Sequence, residues 1–405
     1  MILRMFQDTV YAYEFALADM ELQGLTGITN IPSGLPDGVI ETEIDSSYCL
    51  ALVERLAYFE QVNNQYTHQK FLTEVQGAIA GNHAKAYMTH WMYPFKAKFH
   101  PQMIRAIFNI IGVKKGDIVL DPMTGSGTVN VEAKLMGIDS IGFDCLPIAV
   151  LASQVKTNSL NPEVSKEILA VEPPVPNPPD KGLSSFLDAP QIQSIEKIHD
   201  ENVRDFFKLL YFECLSISRL PNRKFDDVWK KMLGFYIYTI EQSSKTIEKL
   251  GLQLGKVNVD IGDARALVLN DEAVNHIVMS PPYAIAIDYV VRNTEQLQKM
   301  GYSAKEIYSK TIGLRGKGAE RINNYYEDLQ KSIGEMHRVL KPSGSCVIVI
   351  GDTQYDKKTL PTITKCIDFA EKAGLKLTKN IPKVSAGRFG LFRTERILIF
   401  KKHVA

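Results

Sequence analysis

Two short runs in this 405-residue chain combine residue types and spacings that suit ligand chemistry. The first is Asp121-Pro122-Met123-Thr124-Gly125-Ser126-Gly127-Thr128, which follows an apolar strand and precedes a helix. Gly125 and Gly127 let the backbone turn sharply and approach a ligand closely, and the free amides at the helix start favour an anionic group such as a carboxylate. Asp144, the next acidic residue at a strand end, lies roughly twenty residues onward, where nucleotide-binding sheets place an acceptor for a ribose hydroxyl. A dinucleotide site would show G-x-G-x-x-G. Only one G-x-G is present, so the loop suits an adenosine bearing an amino-acid carboxylate better than a pyrophosphate. A tight strand-to-helix turn would use the same glycines for geometry alone.

The second run, Ser280-Pro281-Pro282-Tyr283, follows the apolar residues His276–Met279 and so stands at the carboxyl end of a strand, where open α/β sheets carry ligands. Consecutive prolines fix φ and present carbonyl oxygens rigidly, so that a backbone C=O and the Ser280 hydroxyl can accept hydrogen bonds from one NH₂ group. Tyr283 offers a face on which a planar base can stack, which aligns the amine with an electrophilic methyl. No cysteine occupies the loop, so direct attack by the amine on a methyl sulfonium is preferred to covalent activation of a ring carbon. A rigid turn ending in a core tyrosine would carry the same letters.

These runs need a scaffold. Strand, glycine loop and helix succeed one another from about residue 100: a strand at 117–120, a helix over Thr128–Met136, a strand at 140–143. That is the pattern of βαβ units in an α/β fold with a doubly wound, mostly parallel sheet. The strands resume at 257–260, 276–279 and 346–350, followed by a helix near 363–373 and strands near 375–379 and 396–400. Residues 1–85 form an N-terminal extension with mixed helical patterning, as in 16–22, a turn at Pro32-Ser33-Gly34-Leu35-Pro36, and no interpretable motif. Residues 86–160 are the half bearing the glycine loop. Residues 161–250 hold a proline-dense linker at Glu172–Pro179 and a helical insertion, with Phe206, Phe207, Leu209, Leu210, Trp229, Leu233, Tyr236 and Ile240 at core spacing. Residues 251–405 complete the sheet.

Hydrophobic residues make up 45% and charged residues 23%, which excludes disordered and fibrous classes. Acidic residues interrupt the first twenty positions, and no apolar stretch reaches the roughly 18 residues that span a bilayer. A cytoplasmic protein with no membrane partner is expected. Five scattered cysteines fit reduced thiols and neither a disulfide framework nor a zinc site, so no metal is expected. The net charge of +1 means that any nucleic-acid contact must come from a local basic surface.

The two runs together resemble the D-P-x-x-G-S-G-T and S/N/D-P-P-Y/F motifs of the amino-methyltransferases that modify cytosine N4 or adenine N6 in DNA. The similarity extends to Lys98-Phe99-His100-Pro101-Gln102, which looks like that family's segment around the methionine end of the cofactor, and to Asp288-Tyr289-Val290-Val291-Arg292 after the base loop. It covers roughly residues 90–155 and 255–400. The resemblance implies a seven-stranded methyltransferase sheet and S-adenosyl-methionine as cofactor, contacted by Lys98, His100, Asp121, Pro122, Thr124, Gly125, Ser126, Gly127, Thr128 and Asp144. Asp263 matches the family's acidic position near the cofactor adenine, a place an exposed turn aspartate would fill equally.

The resemblance also implies Ser280, Pro281, Pro282 and Tyr283 as the catalytic loop. A serine at its first position is commoner among cytosine-N4 enzymes, which tilts the expectation to cytosine. The implied partner is double-stranded DNA with its target base flipped out, and a cognate restriction endonuclease beyond it. The insertion, between the two halves, is placed as a target-recognition region would be. Candidate backbone contacts are Arg219, Arg223, Lys224, Lys230, Lys231, Arg292, Arg315 and Lys317, most of which would serve equally as solvated charge. Adenine N6 in DNA and guanine N2 in tRNA stay open as acceptors, and the oligomeric state is not set.

Overall fold

Apolar residues alternate along the last long strands. Val347 and Val349 face one side while Cys346, Ile348 and Ile350 face the other, and Ile397 and Ile399 likewise oppose Leu398 and Phe400. Strands apolar on both faces are stable only in a sheet covered on both sides. The computed structural model describes residues 1–28, 38–76, 86–95, 98–174, 192–283, 288–356, 358–386 and 392–403.

Strands β1 (Ile2–Met5), β2 (Val39–Glu41), β3 (Phe59–Val62) and β4 (Gln65–Tyr66) form a small antiparallel sheet in the order β2-β1-β3-β4. The central sheet comprises β5 (Ile118–Asp121), β6 (Asp139–Asp144), β7 (Val257–Ile261), β8 (Val274–Met279) and β9 (Leu340–Gly351). After a hairpin of β10 (Thr353–Tyr355) and β11 (Lys358–Leu360), β12 (Leu375–Ala386) and β13 (Phe392–Lys402) complete it. Its seven strands run in the order β12-β13-β9-β8-β5-β6-β7. β13 is antiparallel to both neighbours and the other pairings are parallel, which is the expected doubly wound, mostly parallel architecture. β12 and β13 run well past the expected 375–379 and 396–400. Polar residues such as Lys383 and Glu395 lie in the added stretches, where the antiparallel ladder continues beyond the apolar runs.

One face is covered by helix Pro101–Ile110, helix Ala12–Thr26 and the small sheet, whose Leu3, Leu17 and Phe59 share a core with Ile104, Val278 and Val347. The N-terminal segment is therefore part of the sheet's cover. Gly24 lies so close to helix Pro101–Ile110 that a Cβ there would stand 2.4 Å from the Asn109 carbonyl oxygen. Helices Gly318–Val339 and Thr362–Lys372 cover the other face. The helical insertion packs Phe206, Phe207, Tyr236 and Ile240 against helix Pro147–Asn158 and Trp91, with Leu233 half-buried at the margin. The expected turn at 32–36 and the linker from Val175 on lie outside the described residues. Among the described residues, no helix is long and apolar enough to cross a membrane.

Candidate active site

Strand order reverses between β5 and β8: the chain runs from β5 through β6 to β7, then returns to place β8 on the other side of β5. Open α/β sheets hold ligands outside the carboxyl ends of the strands at such a point. Leu120 pairs with Ile277. β5 ends one residue beyond that pair and β8 two, so the glycine loop and Ser280–Tyr283 leave the sheet side by side.

The glycine loop is braced from β6. The Thr124 amide donates to the Phe143 carbonyl (2.9 Å), and the Gly125 amide donates to Asp144 Oδ2 (2.8 Å), whose Oδ1 accepts from the Leu146 amide (2.9 Å). A carboxylate has about four lone-pair sites, so Asp144 can brace the loop and still accept a ligand hydroxyl. Burial raises its pKa against the pull of these amides. Asp121 is buried, and its pKa is pushed up to about 8 by desolvation, with repulsion from Asp144 adding and the Met123 amide opposing. Gly125 and Gly127 both adopt positive φ, +51° and +76°. A Cβ on Gly127 would collide with Ser153, whereas one on Gly125 would meet only Phe95 at 3.8 Å and the Met123 carbonyl at 3.9 Å. The space over Gly125 is open, a cradle in which a ligand can touch backbone.

Buried ionisable side chains support this loop, Lys98 marked in the sequence and Lys156, Glu132 and Glu213 not. Lys156, fully buried on helix Pro147–Asn158, donates to the Ser126 carbonyl (3.0 Å). Lys98 donates to the His90 carbonyl (2.8 Å), and burial lowers its pKa to about 8. Pro122, Ser126 and Thr128 lie within the loop, the last two with hydroxyls 3.3 Å apart, and His100 caps helix Pro101–Ile110. Glu132, on the helix that follows the loop, binds Arg105 Nε (2.9 Å), His90 Nε2 (2.8 Å) and the Tyr87 hydroxyl (2.8 Å). From the insertion, Glu213 accepts from the Tyr93 amide (3.0 Å) and the Tyr236 hydroxyl, and burial pushes its pKa up to about 7. Phe95 stacks on Tyr289 with ring centroids 5.3 Å apart beside Gly125. Tyr289 belongs to the segment after the base loop that the sequence singled out, and Phe95 to the stretch that the resemblance covers ahead of the glycine loop.

In the second loop, Ser280 Oγ donates its proton to the Val349 carbonyl (2.8 Å). Its lone pairs are thereby left to accept from an amine. Pro281 is buried and Pro282 half-buried. The Tyr283 hydroxyl donates to Glu395 on β13.

The predicted polar contacts divide. Asp263 is gripped by Arg265, which also binds Asp328; despite desolvation, these bonds lower the Asp263 pKa. Arg315 is likewise held by the buried Asp328, and Arg219 pairs with Glu295. Arg223 and Lys224 lie exposed between the two long insertion helices, with Lys230 and Lys231 exposed on the second. Arg292 and Lys317 are exposed near the second loop. Arg315 and Lys317 line a cleft of about 820 Å³ together with Lys305, Arg321, Tyr308 and Tyr355. Among the described residues, no carboxylate lines it. Gly313, whose Cβ would stand 3.0 Å from the Tyr283 carbonyl, links the cleft to the second loop.

Both halves match known families: residues 274–404 match the N6/N4 DNA methylases and residues 91–170 the RMKL-like methyltransferase domain. The Type II methyltransferase M.MjaII of Methanocaldococcus jannaschii is 30% identical over 152 residues, 36% of this chain and 27% of that protein. A tRNA (guanine(10)-N2)-dimethyltransferase of Methanothermobacter thermautotrophicus is 38% identical over 63 residues, 16% of this chain and 18% of that protein. The chain thus spans about a quarter or less of the length of these curated relatives. Among solved structures, a SAM-dependent methyltransferase from Methanosarcina mazei aligns over 72% of this chain and 95% of its own at 11% identity, with a TM-score of 0.34.

Proposed function

We propose that the chain is an S-adenosyl-methionine-dependent amino-methyltransferase and that it methylates an exocyclic amine, cytosine N4, of a base rotated out of duplex DNA. The observation that carries this reading is the adjacency of the two loops at the carboxyl ends of β5 and β8. S-adenosyl-methionine, bound at the first loop, supplies a methyl group activated by its sulfonium. The open space over Gly125 and the acceptors Asp121 and Asp144 suit such a ligand, with Pro122, Thr124, Ser126, Gly127 and Thr128 shaping the loop and Lys98 and His100 toward the methionine end. We leave Asp263 outside the contact set, because Arg265 holds its carboxylate.

Ser280 Oγ and the carbonyl of a loop proline accept the two amine hydrogens, which aims the nitrogen lone pair at the methyl. The Tyr283 ring stacks on the base. Serine is a poor general base at neutral pH, so the surplus proton leaves to solvent after transfer. Arg292, Lys305, Lys317 and Arg321 contact phosphates around the cleft, and Arg223 and Lys224 do so from the insertion. The choice of cytosine rests on Ser280, and duplex DNA and a cognate endonuclease are the partners that this reading implies, in keeping with the match to DNA methylases.

The test incubates the protein with labelled cofactor and either unmethylated duplex DNA or bulk tRNA, then identifies the methylated nucleoside. N4-methylcytosine is expected. N6-methyladenine would correct the base, and label in tRNA alone would overturn the DNA reading in favour of the guanine-N2 activity named for the tRNA relative.

A further inference from the structure

The second loop is fastened at both ends to the strands beside it. At its start Ser280 donates to Val349 on β9, and at its end the Tyr283 hydroxyl donates to Glu395 on β13. Val349 pairs with Ile397, two residues from Glu395. Across the β12–β13 hairpin, Glu395 lies directly opposite Lys383, and the two side chains form an ion pair at 17% and 15% exposure. Lys383 in turn stands 5.8 Å from the ring centroid of Tyr13 on the N-terminal helix.

We propose that Glu395, held by Lys383, is a positioning residue that fixes the ring of Tyr283 where an acceptor base stacks. The inference rests on the reading that Tyr283 faces the acceptor. An ionised carboxylate can only accept hydrogen bonds, so this partner orients the phenol one way, and a charged acceptor holds a hydroxyl about twice as strongly as a neutral one. Lys383, directly opposite on β12, pairs with the carboxylate and holds it in place beside the phenol. A stacking ring contributes by its orientation, and a ring fastened only at Cβ would sample several rotamers.

Four variants of the full chain test this: Glu395→Leu, Glu395→Gln, Tyr283→Phe and the double variant Tyr283→Phe/Glu395→Leu. Fluorine NMR of protein carrying 3-fluorotyrosine at position 283 reads the tether without substrate. Glu395→Leu should shift or broaden the resonance and Glu395→Gln, which keeps an acceptor, should stay near the parent. An unmoved resonance in Glu395→Leu overturns the proposal. In single-turnover transfer of labelled methyl to unmethylated duplex DNA, Glu395→Leu and Tyr283→Phe should each slow the rate by roughly ten- to a hundredfold at unchanged cofactor affinity. The double variant should be no slower than the slower single one, and multiplying losses would show that Glu395 acts elsewhere. A parent protein that labels no DNA but responds in the fluorine spectrum would sink the DNA reading and leave the tether standing.

Discussion

Replacing each glycine of the cofactor loop with alanine separates backbone geometry from ligand space. At Gly127, φ of +76° imposes the left-handed penalty of about 1–2 kcal/mol on an L residue. The added Cβ would stand 2.7 Å from Ser153 Oγ and 2.9 Å from Ser153 Cα, and the backbone atom cannot swing away, so overpacking adds about 1–3 kcal/mol. Gly127→Ala should therefore destabilise the protein by about 2–5 kcal/mol, read as a lowered denaturation midpoint at unchanged slope. Gly125→Ala carries only the conformational penalty, since its Cβ meets nothing closer than 3.8 Å. That methyl would nevertheless occupy the cradle, so Gly125→Ala should weaken S-adenosyl-methionine binding in calorimetry by roughly tenfold or more, while its stability loss stays near the ~1–2 kcal/mol of the backbone term. Equal stability losses in the two variants would refute the contact reasoning. Unchanged affinity in Gly125→Ala would remove the cofactor from that space.

Ser280→Ala should lower the single-turnover rate about tenfold, the worth of one neutral hydrogen bond, with cofactor affinity unchanged; a loss of affinity would place the hydroxyl at the wrong ligand. Glu132→Gln should cost about 3–5 kcal/mol in chemical denaturation, because it leaves Arg105, 1% exposed, without its charge partner. A nearly neutral result would mean that the network contributes little. Buried groups should also make opposing contributions to the pH dependence of the cofactor-free protein's stability. Asp121 (about 8) and the buried Glu21 and Glu213 (about 7) keep their protons in the fold after the unfolded chain has lost them, so from about pH 4 to 8 their contribution to stability declines. Lys98 and Lys134, both lowered to about 8 by burial, and the more strongly lowered Lys156 are neutral in the fold while charged in the unfolded chain up to about pH 10.4, so their contribution rises with pH. Asp121→Asn should remove this carboxyl's share of the pH dependence, so its stability relative to the parent should change between about pH 5 and 8; a difference constant across that window would contradict the raised pKa.

The loops were legible in the sequence because glycine and proline mark backbone geometry directly, and the strands carrying them were legible as apolar runs. β3, Phe59-Glu60-Gln61-Val62, was not, being short and polar at its centre. Buried charges escaped for a different reason. Lys, Glu and Arg ordinarily signal surface, so Lys156, Glu132 and Glu213 gave no hint of lying beneath a loop. The same prior made Arg219 and Arg315 look free for phosphate, when Glu295 and Asp328 hold them. Glu395 stands 112 positions from Tyr283, and nothing in the local sequence of either names the other.

The β5–β8 pairing sets an order of assembly. The Ile118 amide bonds the Asn275 side chain across 157 residues, so closing the sheet's centre costs loop entropy that the local β5–β6 unit does not bear. During synthesis the cofactor loop and its brace from Asp144 emerge and fold well before β8 exists, and the strap from β13 emerges later still. A nascent chain halted within the insertion would carry a formed glycine loop beside an open sheet edge, able to hold a methyl donor yet without an acceptor loop to spend it on. Refolding from denaturant should be correspondingly slow, limited by non-local closure rather than by helix formation.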